Sequence, residues 1–242
     1  MSPTSIPAAA AGESGSSGSP MAAAPRIAFF DLDKTLISRN SATLWLRFEM
    51  ANGRLSRLRA LHAFTYVARY SLGLVDIEDA IRRSVESIAG QAEAEMAARA
   101  VTFYGAFVRP IFRPGGRAAL DAHRAAGDRL VLLTSSSNYV SEQVVADLGL
   151  DDYLCSRFEV DADGRYTGRL IEPLCYGRGK LDLARRCAAA HGAALEACAF
   201  YTDSIADLPM LEAVGEPVAV HPDPKLRRVA RRRGWPILDW GG

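Results

Sequence analysis

Apolar residues in this chain fall into two kinds of run, and the two alternate. Ile27-Ala28-Phe29-Phe30 is a short unbroken apolar stretch, the length of a strand buried on both faces. Segments 130–133, 197–201, 218–220 and 236–238 read the same way. Between them apolar positions recur with helical spacing: 117–126 closed by Gly127, 139–148 closed by Gly149, then 180–191, 208–214 and a basic stretch at 225–233. Residues 153–160 and 165–171 flank Asp161-Ala162-Asp163-Gly164, a hairpin signature. Strands alternating with helices of these lengths predict an α/β fold, a mostly parallel sheet with helices on both faces. Ligands of such sheets bind beyond the carboxyl ends of the strands.

From 41 to 112 the pattern carries no strand. Leu44, Leu46 and Phe48, then Leu55, Leu58, Leu61 and Phe64, and later Ile77, Ile81, Val85 and Ile88 keep helical spacing, with Asp76 as a cap and Gly73 and Gly90 as breaks. The expected organisation is a core of 25–40 and 113–242, interrupted by an all-helical module at 41–112. Residues 1–24, rich in Ala, Ser, Gly and Pro, read as a disordered leader. They have neither the basic start nor the leucine-rich stretch of a secretory signal, and Met21 is an alternative start.

Composition narrows the function. Among 242 residues, 29 Lys and Arg balance 28 Asp and Glu to a net charge of +1, against the strongly basic surface of a dedicated nucleic-acid binder. The greasiest segment, 59–75, is interrupted by His62 and Arg69, so no membrane span is expected. Four cysteines without a C-x-x-C pair point to a reducing compartment, and the expected location is cytoplasmic.

Four polar clusters stand where strands end or helices begin. Asp31-x-Asp33-x-Thr35 follows the first strand. If the extended geometry persists, both carboxylates project to one side, too close to stay ionised together without a cation or a shared proton; a helix N-cap is the alternative reading. Thr134-Ser135-Ser136-Ser137-Asn138, between a strand and a helix, offers hydroxyls and free amides to an anion, and equally suits a helix start. Gly177-Arg178-Gly179-Lys180 opens a helix without P-loop spacing. A lysine there opposes the helix dipole, which an anionic partner would explain; a solvated lysine is the alternative. Asp203-Ser204-Ile205-Ala206-Asp207 again sets two acids at a strand end, oxygen donors that suit Mg²⁺ or, more plainly, cap a helix.

In this order (D-x-D-x-T, Thr/Ser, Lys, D-x-x-x-D) the set resembles the haloacid dehalogenase-like phosphohydrolase superfamily over nearly everything from Pro25 onward. The helical insertion is similar to the C1-type cap of its phosphoserine-phosphatase-like branch, subfamily IB. The resemblance implies a Rossmann-like core and a Mg²⁺-dependent phosphomonoesterase. By motif, Asp31 would be the nucleophile that forms an aspartyl-phosphate, and Asp33 the general acid and then base. Thr134 and Lys180 would hold the phosphoryl group, supported by Thr35 and Ser135. Mg²⁺ would be held by the Asp31 side chain, the Asp33 carbonyl and Asp203, with Asp207 in support.

Asp33 favours ester hydrolysis over dehalogenase or phosphonatase chemistry, which lacks an acid there. Leu36-Ile37 stands where ion-pumping ATPases carry Gly-Thr. A phosphotransferase or phosphomutase on the same core, and a non-catalytic phosphate-binding regulatory protein, are the alternatives. Thr134 follows Asp33 by 101 positions, room for a lid, so a small phosphorylated metabolite is the expected substrate. Phosphoserine phosphatases typically carry Glu where this chain has Asn40, Ser-Gly-Gly where it has Thr134-Ser135-Ser136, and Gly-Asp-Gly where it has Thr202-Asp203-Ser204. Relatives of this branch handle other alcohol phosphates, so the resemblance places histidinol phosphate beside phosphoserine as a candidate. Arg54, Arg57, Arg59 and the basic 225–233 stretch read as solvated faces, no histidine is given a catalytic role, and Trp235 to Trp240 is expected to close the sheet edge.

Overall fold

The computed structural model describes residues 26–54 and 77–242. The leader at 1–24 lies outside the described residues, as do Leu55 to Phe64, Arg57, Arg59, Gly73 and Asp76 of the helical module. Seven strands form one sheet: β1 (Ile27–Phe30), β2 (Arg129–Ser137), β3 (Asp152–Val160), β4 (Tyr166–Ile171), β5 (Ala199–Thr202), β6 (Glu216–Val220) and β7 (Ile237–Leu238). Their order is β4-β3-β2-β1-β5-β6-β7, parallel throughout except for the β3–β4 hairpin. Helices α1 (Ser41–Ala51), α2 (Ile77–Glu86) and α3 (Glu93–Phe103) fall between β1 and β2 in the chain. The later connections are α4 (Pro114–Ala126), α5 (Asn138–Leu148), α6 (Arg178–Ala190), α7 (Leu208–Leu211) and α8 (Pro224–Arg233).

β1 reads as an unbroken apolar run because both of its faces are covered. Ala28 and Phe30 belong to a core cluster with Leu120, Val144 and Leu148, and Ile27 and Phe29 to a second with Leu181, Ala184 and Leu226. Each fully buried large side chain contributes about 1.5–3 kcal/mol relative to exposure. From β1 the strands are added outward in both directions, so the ends of β1 and β5 form the topological switch point where open α/β sheets bind ligands. Left-handed Gly127 (φ 79) and Gly149 (φ 61) close α4 and α5 as the sequence predicts.

Two elements depart from expectation. β2 runs on through Ser137, with a register shift between Thr134 (opposite Cys155) and Ser137 (opposite Ser156), so the hydroxyl cluster is extended strand rather than loop. Its ladder partners come from β3, some twenty residues away, and local composition does not reveal them. The helix expected over 208–214 shrinks to the single turn of α7, after a tight turn at Ile205–Asp207. The chain must turn at once into β6, passing so near the Glu196 carbonyl that a Cβ on Gly215 would stand 1.8 Å from its oxygen.

Among the described residues, main-chain hydrogen bonds join the insertion to the core in two groups. The chain leaves and returns side by side: Ile37 bridges Phe112, Arg113 N donates to Leu36 O (2.8 Å), and Ser38 N donates to Ile111 O (3.0 Å). Farther on, Gly90 N donates to Tyr166 O (2.8 Å), Tyr166 N to Gln91 O (3.0 Å), and Glu93 N to Gly164 O (2.9 Å), binding the α2–α3 turn to the hairpin. Trp45, Phe48, Phe103 and Phe107 join α1 to α3 through ring contacts of 5.1–5.9 Å.

His123 is structural, with Nδ1 2.6 Å from Asp128 Oδ2 and Nε2 2.8 Å from the Tyr201 hydroxyl, linking α4 to β5. The cations of α8 are exposed, β7 closes one edge of the sheet, and all four cysteines are free and buried. Trp240 is buried against the first turn of α4, where a Cβ on Gly115 would meet its ring at 2.5 Å and its Cα at 2.7 Å. Gly115→Ala is therefore expected to destabilise the protein by about 1–3 kcal/mol through overpacking, read as a lowered midpoint in thermal or urea unfolding.

Candidate active site

Phe30 pairs with Leu132 on one side and with Tyr201 on the other, so Asp31, Thr134 and Asp203 all emerge at the same edge of the sheet. Asp31 N donates to Tyr201 O at 2.9 Å, which extends the β1–β5 pairing by one residue and fixes where the Asp31 side chain begins. Beyond it the backbone leaves the strand. Leu32–Leu36 forms a tight helical turn interrupted at Asp33 (φ −65, ψ 125) and Lys34 (φ 57, ψ −1). A left-handed non-glycine residue costs roughly 1–2 kcal/mol, and strain of this kind clusters at functional sites.

Extended geometry, the condition under which Asp31 and Asp33 would project to one side, therefore does not persist, and the two carboxylates take different hydrogen-bond partners. Asp31 faces Lys180, whose Nζ donates to Asp31 Oδ1 and to Asp207 Oδ2, each at 2.8 Å. Asp33 instead accepts from Ser41 N (2.7 Å) and from Asn40 Nδ2 (3.3 Å) at the start of α1. Thr35 Oγ1 donates to Asp31 Oδ2 at 3.4 Å. Thr202 Oγ1 donates to Asp207 Oδ2 at 2.6 Å and accepts from Ser204 N at 3.2 Å.

Lys180 is 3% exposed, which removes the solvated-lysine reading. The first turn of α6 can carry it to Asp31 because Gly179 passes the Leu174 carbonyl, where a Cβ would lie 1.9 Å from the oxygen. Thr134 is fully buried, its Oγ1 accepting from Ser136 N at 3.1 Å, and Ser135 is half-buried beside it.

The charges do not balance. Burial pushes Asp31 up to about 7 against the pull of Lys180, with repulsion from Asp207 adding to the rise. Burial also pushes Asp203 up to about 8, and repulsion from Asp31 adds to it. Burial acts to lower the Lys180 pKa, but Asp207 and Asp31 outweigh it and hold the ammonium above the usual lysine value. No hydrogen bond or ion pair reaches the Asp203 carboxylate among the described residues; only its carbonyl is engaged, by Asp223 N at 2.8 Å.

Among the described residues no three His, Cys, Asp or Glu side chains gather as a metal cluster. The expected set is different in kind, with two side-chain carboxylates and one main-chain carbonyl. An uncompensated, mostly buried carboxylate beside a second one fits a hard divalent cation, which takes oxygen donors and keeps some waters.

Sequence reasoning missed Asp223 as part of this constellation and named Asn40 and Thr202 only as departures from the phosphoserine-phosphatase pattern. Asp223 caps α8 through Lys225 N (2.7 Å) and Leu226 N (2.9 Å), and its other oxygen accepts from Ile205 N (2.7 Å), anchoring the 203–207 loop. Asp between two prolines is a helix-start signal, but its second bond joins residues eighteen apart.

With this geometry in view, comparison with known proteins is direct. Residues 28–212 match the family model of haloacid dehalogenase-like hydrolases. A histidinol-phosphatase from Neisseria meningitidis is 29% identical over 218 residues, 88% of this chain and 98% of that protein. A phosphoserine phosphatase from Mycobacterium tuberculosis is 33% identical over 254 residues, 99% of this chain and 78% of that protein. A solved Bordetella pertussis protein of unknown function shares 31% identity at a TM-score of 0.82, covering 90% of this chain and 100% of that one. The chain belongs to the haloacid dehalogenase-like hydrolase family, and it is a hydrolase of the phosphatase kind. Among the described residues no helix is long and apolar enough to cross a membrane.

Two outcomes are expected. Lys180→Met leaves Asp31 and Asp207 buried without their cation and should cost about 3–5 kcal/mol in chemical denaturation. Asp31 and Asp203 are both raised from 3.8, so the folded state holds protons that the unfolded chain releases above about pH 4. Their contribution to stability is complete below that pH and is lost as pH rises through 7 to 8. With divalent cations chelated, the unfolding temperature should therefore fall between pH 5 and 8, and Asp203→Asn should flatten the fall.

Proposed function

We propose that this chain is a Mg²⁺-dependent phosphomonoesterase, located in the cytoplasm, that hydrolyses a small phosphorylated metabolite through an aspartyl-phosphate. The observation that carries the reading is the separation of two neighbouring carboxylates. Asp31 is paired with a buried ammonium, while Asp33 is turned away onto a helix start. Burial raises Asp31 to about 7 against the pull of Lys180, so its anion, the form that attacks, is populated near neutral pH. Asp33 also has its pKa raised by burial, against the hydrogen bonds from Ser41, which suits it to carry a proton. Splitting ester hydrolysis into two displacements makes each easier than the direct reaction.

In the first step an Asp31 oxygen bonds to phosphorus as the ester P–O bond breaks, and the departing oxygen takes its electron pair and the Asp33 proton. In the second, Asp33 as carboxylate takes a proton from water while the water oxygen bonds to phosphorus. The Asp31 O–P bond breaks, releasing inorganic phosphate and restoring both side chains. Lys180 stabilises charge growing on the phosphoryl oxygens, and Thr134, with Ser135, hydrogen-bonds one of them. Asp31, the Asp33 carbonyl and Asp203 would hold Mg²⁺, supported by Asp207. When bound, the ion supplies positive charge to the phosphoryl group and offsets repulsion between the carboxylates.

The division into a core (25–40 and 113–242) and a helical lid (41–112) belongs to the same reading. The lid would shed water from the site and limit substrates to small ones. Relatives named for histidinol phosphate and for phosphoserine make these the first two esters to try.

Release of inorganic phosphate is expected with Mg²⁺ and not with a chelator, and Asp31→Asn should lower kcat by about 10³-fold or more. Undiminished release by the variant would remove Asp31 as nucleophile.

A further inference from the structure

Asn40 stands outside the four polar motifs, yet both ends of its side chain are engaged. Its Oδ1 accepts from Thr43 N at 3.0 Å, capping α1, and its Nδ2 donates to Asp33 Oδ2 at 3.3 Å. The other Asp33 oxygen accepts from Ser41 N at 2.7 Å. Asn40 itself is fixed through its carbonyl, which accepts from Thr43 Oγ1 (2.7 Å) and Leu44 N (3.2 Å). Because the Thr43 N–H needs an acceptor, the amide oxygen must face α1 and the NH₂ group must face Asp33. The first turn of α1 thus dictates which end of Asn40 the carboxylate meets.

We propose that Asn40 is a positioning residue, fixing the rotation of the Asp33 carboxylate so that one oxygen is presented to the ester oxygen that leaves. The inference rests on the acid–base reading of Asp33. It also gives Asn40 a different task from reading substrate: its oxygen caps Thr43 N and its NH₂ holds Asp33. A misdirected general acid is felt most where the leaving group needs a proton most, on an alkyl ester. It is felt least with p-nitrophenyl phosphate, whose leaving group departs as a stable anion.

Asn40→Asp separates this role from helix capping. Aspartate is as good an N-cap as asparagine, so α1 keeps its acceptor for Thr43 N, while the donor to Asp33 becomes a like-charged acceptor. Asn40→Ser is the second variant, since its hydroxyl caps a helix but is too short to hold Asp33. For both, kcat and KM are measured with Mg²⁺ on an alkyl phosphomonoester and on p-nitrophenyl phosphate, alongside thermal unfolding. The expected result is a loss of kcat/KM, which reports the first displacement alone, at least about 10-fold greater on the alkyl ester, with unfolding close to wild type. Equal losses on both esters, or no loss, in an otherwise active protein overturn the inference and leave the phosphatase reading standing. A folded wild type that cleaves neither ester removes that reading, and this inference with it.

Discussion

A single ammonium group held between two buried carboxylates is the constraint around which the site is arranged. Lys180 joins α6, the end of β1 and the loop after β5, three parts of the chain far apart in sequence. Its charge is matched by Asp31 or by Asp207, not by both, and Asp203 stands beside them with no partner of its own among the described residues. Two buried charges of one sign can share a dry site only when something positive offsets them. The protein answers part of that demand with Lys180, and a hard cation is the simplest answer to the remainder.

The second constraint is on the backbone. Parallel strands deliver Asp31 and Asp203 to one edge, but a strand alone would deliver Asp33 beside Asp31 and place both in the same environment. The turn at Lys34, in a left-handed conformation, breaks that symmetry. It sends Asp33 to the first residues of α1, and two like side chains, both with pKa raised by burial, acquire different hydrogen-bond partners. The proposed chemistry needs such a difference, and its cost is local strain at Lys34.

The inserted helices are consequently more than a cover. Their first turn holds Asp33, their return path runs alongside the exit at Ile37 and Phe112, and the α2–α3 turn is bonded to the hairpin. The parts of the insertion that are described touch both Asp33 and the hairpin at the outer edge of the sheet. Family relatives of this chain are named for different phosphate esters.

Strand and helix order, the unbroken apolar β1, the hairpin at 161–164 and the glycines closing α4 and α5 were all legible in the sequence. Each follows from local periodicity and from backbone freedom at single residues. The motif residues Asp31, Thr134, Lys180, Asp203 and Asp207 were also legible as candidates, since a capping role suffices for any one cluster but not for four in that order at strand and helix ends. What the sequence by itself determined was thus the alternation of elements and the identity of the polar groups at their ends. Only the tertiary structure decided which of those groups meet: that Lys180 is buried between Asp31 and Asp207, that Asp33 departs toward Asn40 and Ser41, and that the Thr134 segment is strand rather than loop. The reason is physical. Lys180, its two carboxylates and the β2 ladder meet across segments brought together by folding. The partners of Asp33, though only seven and eight residues on, are set by a left-handed turn at Lys34 that no apolar pattern announces.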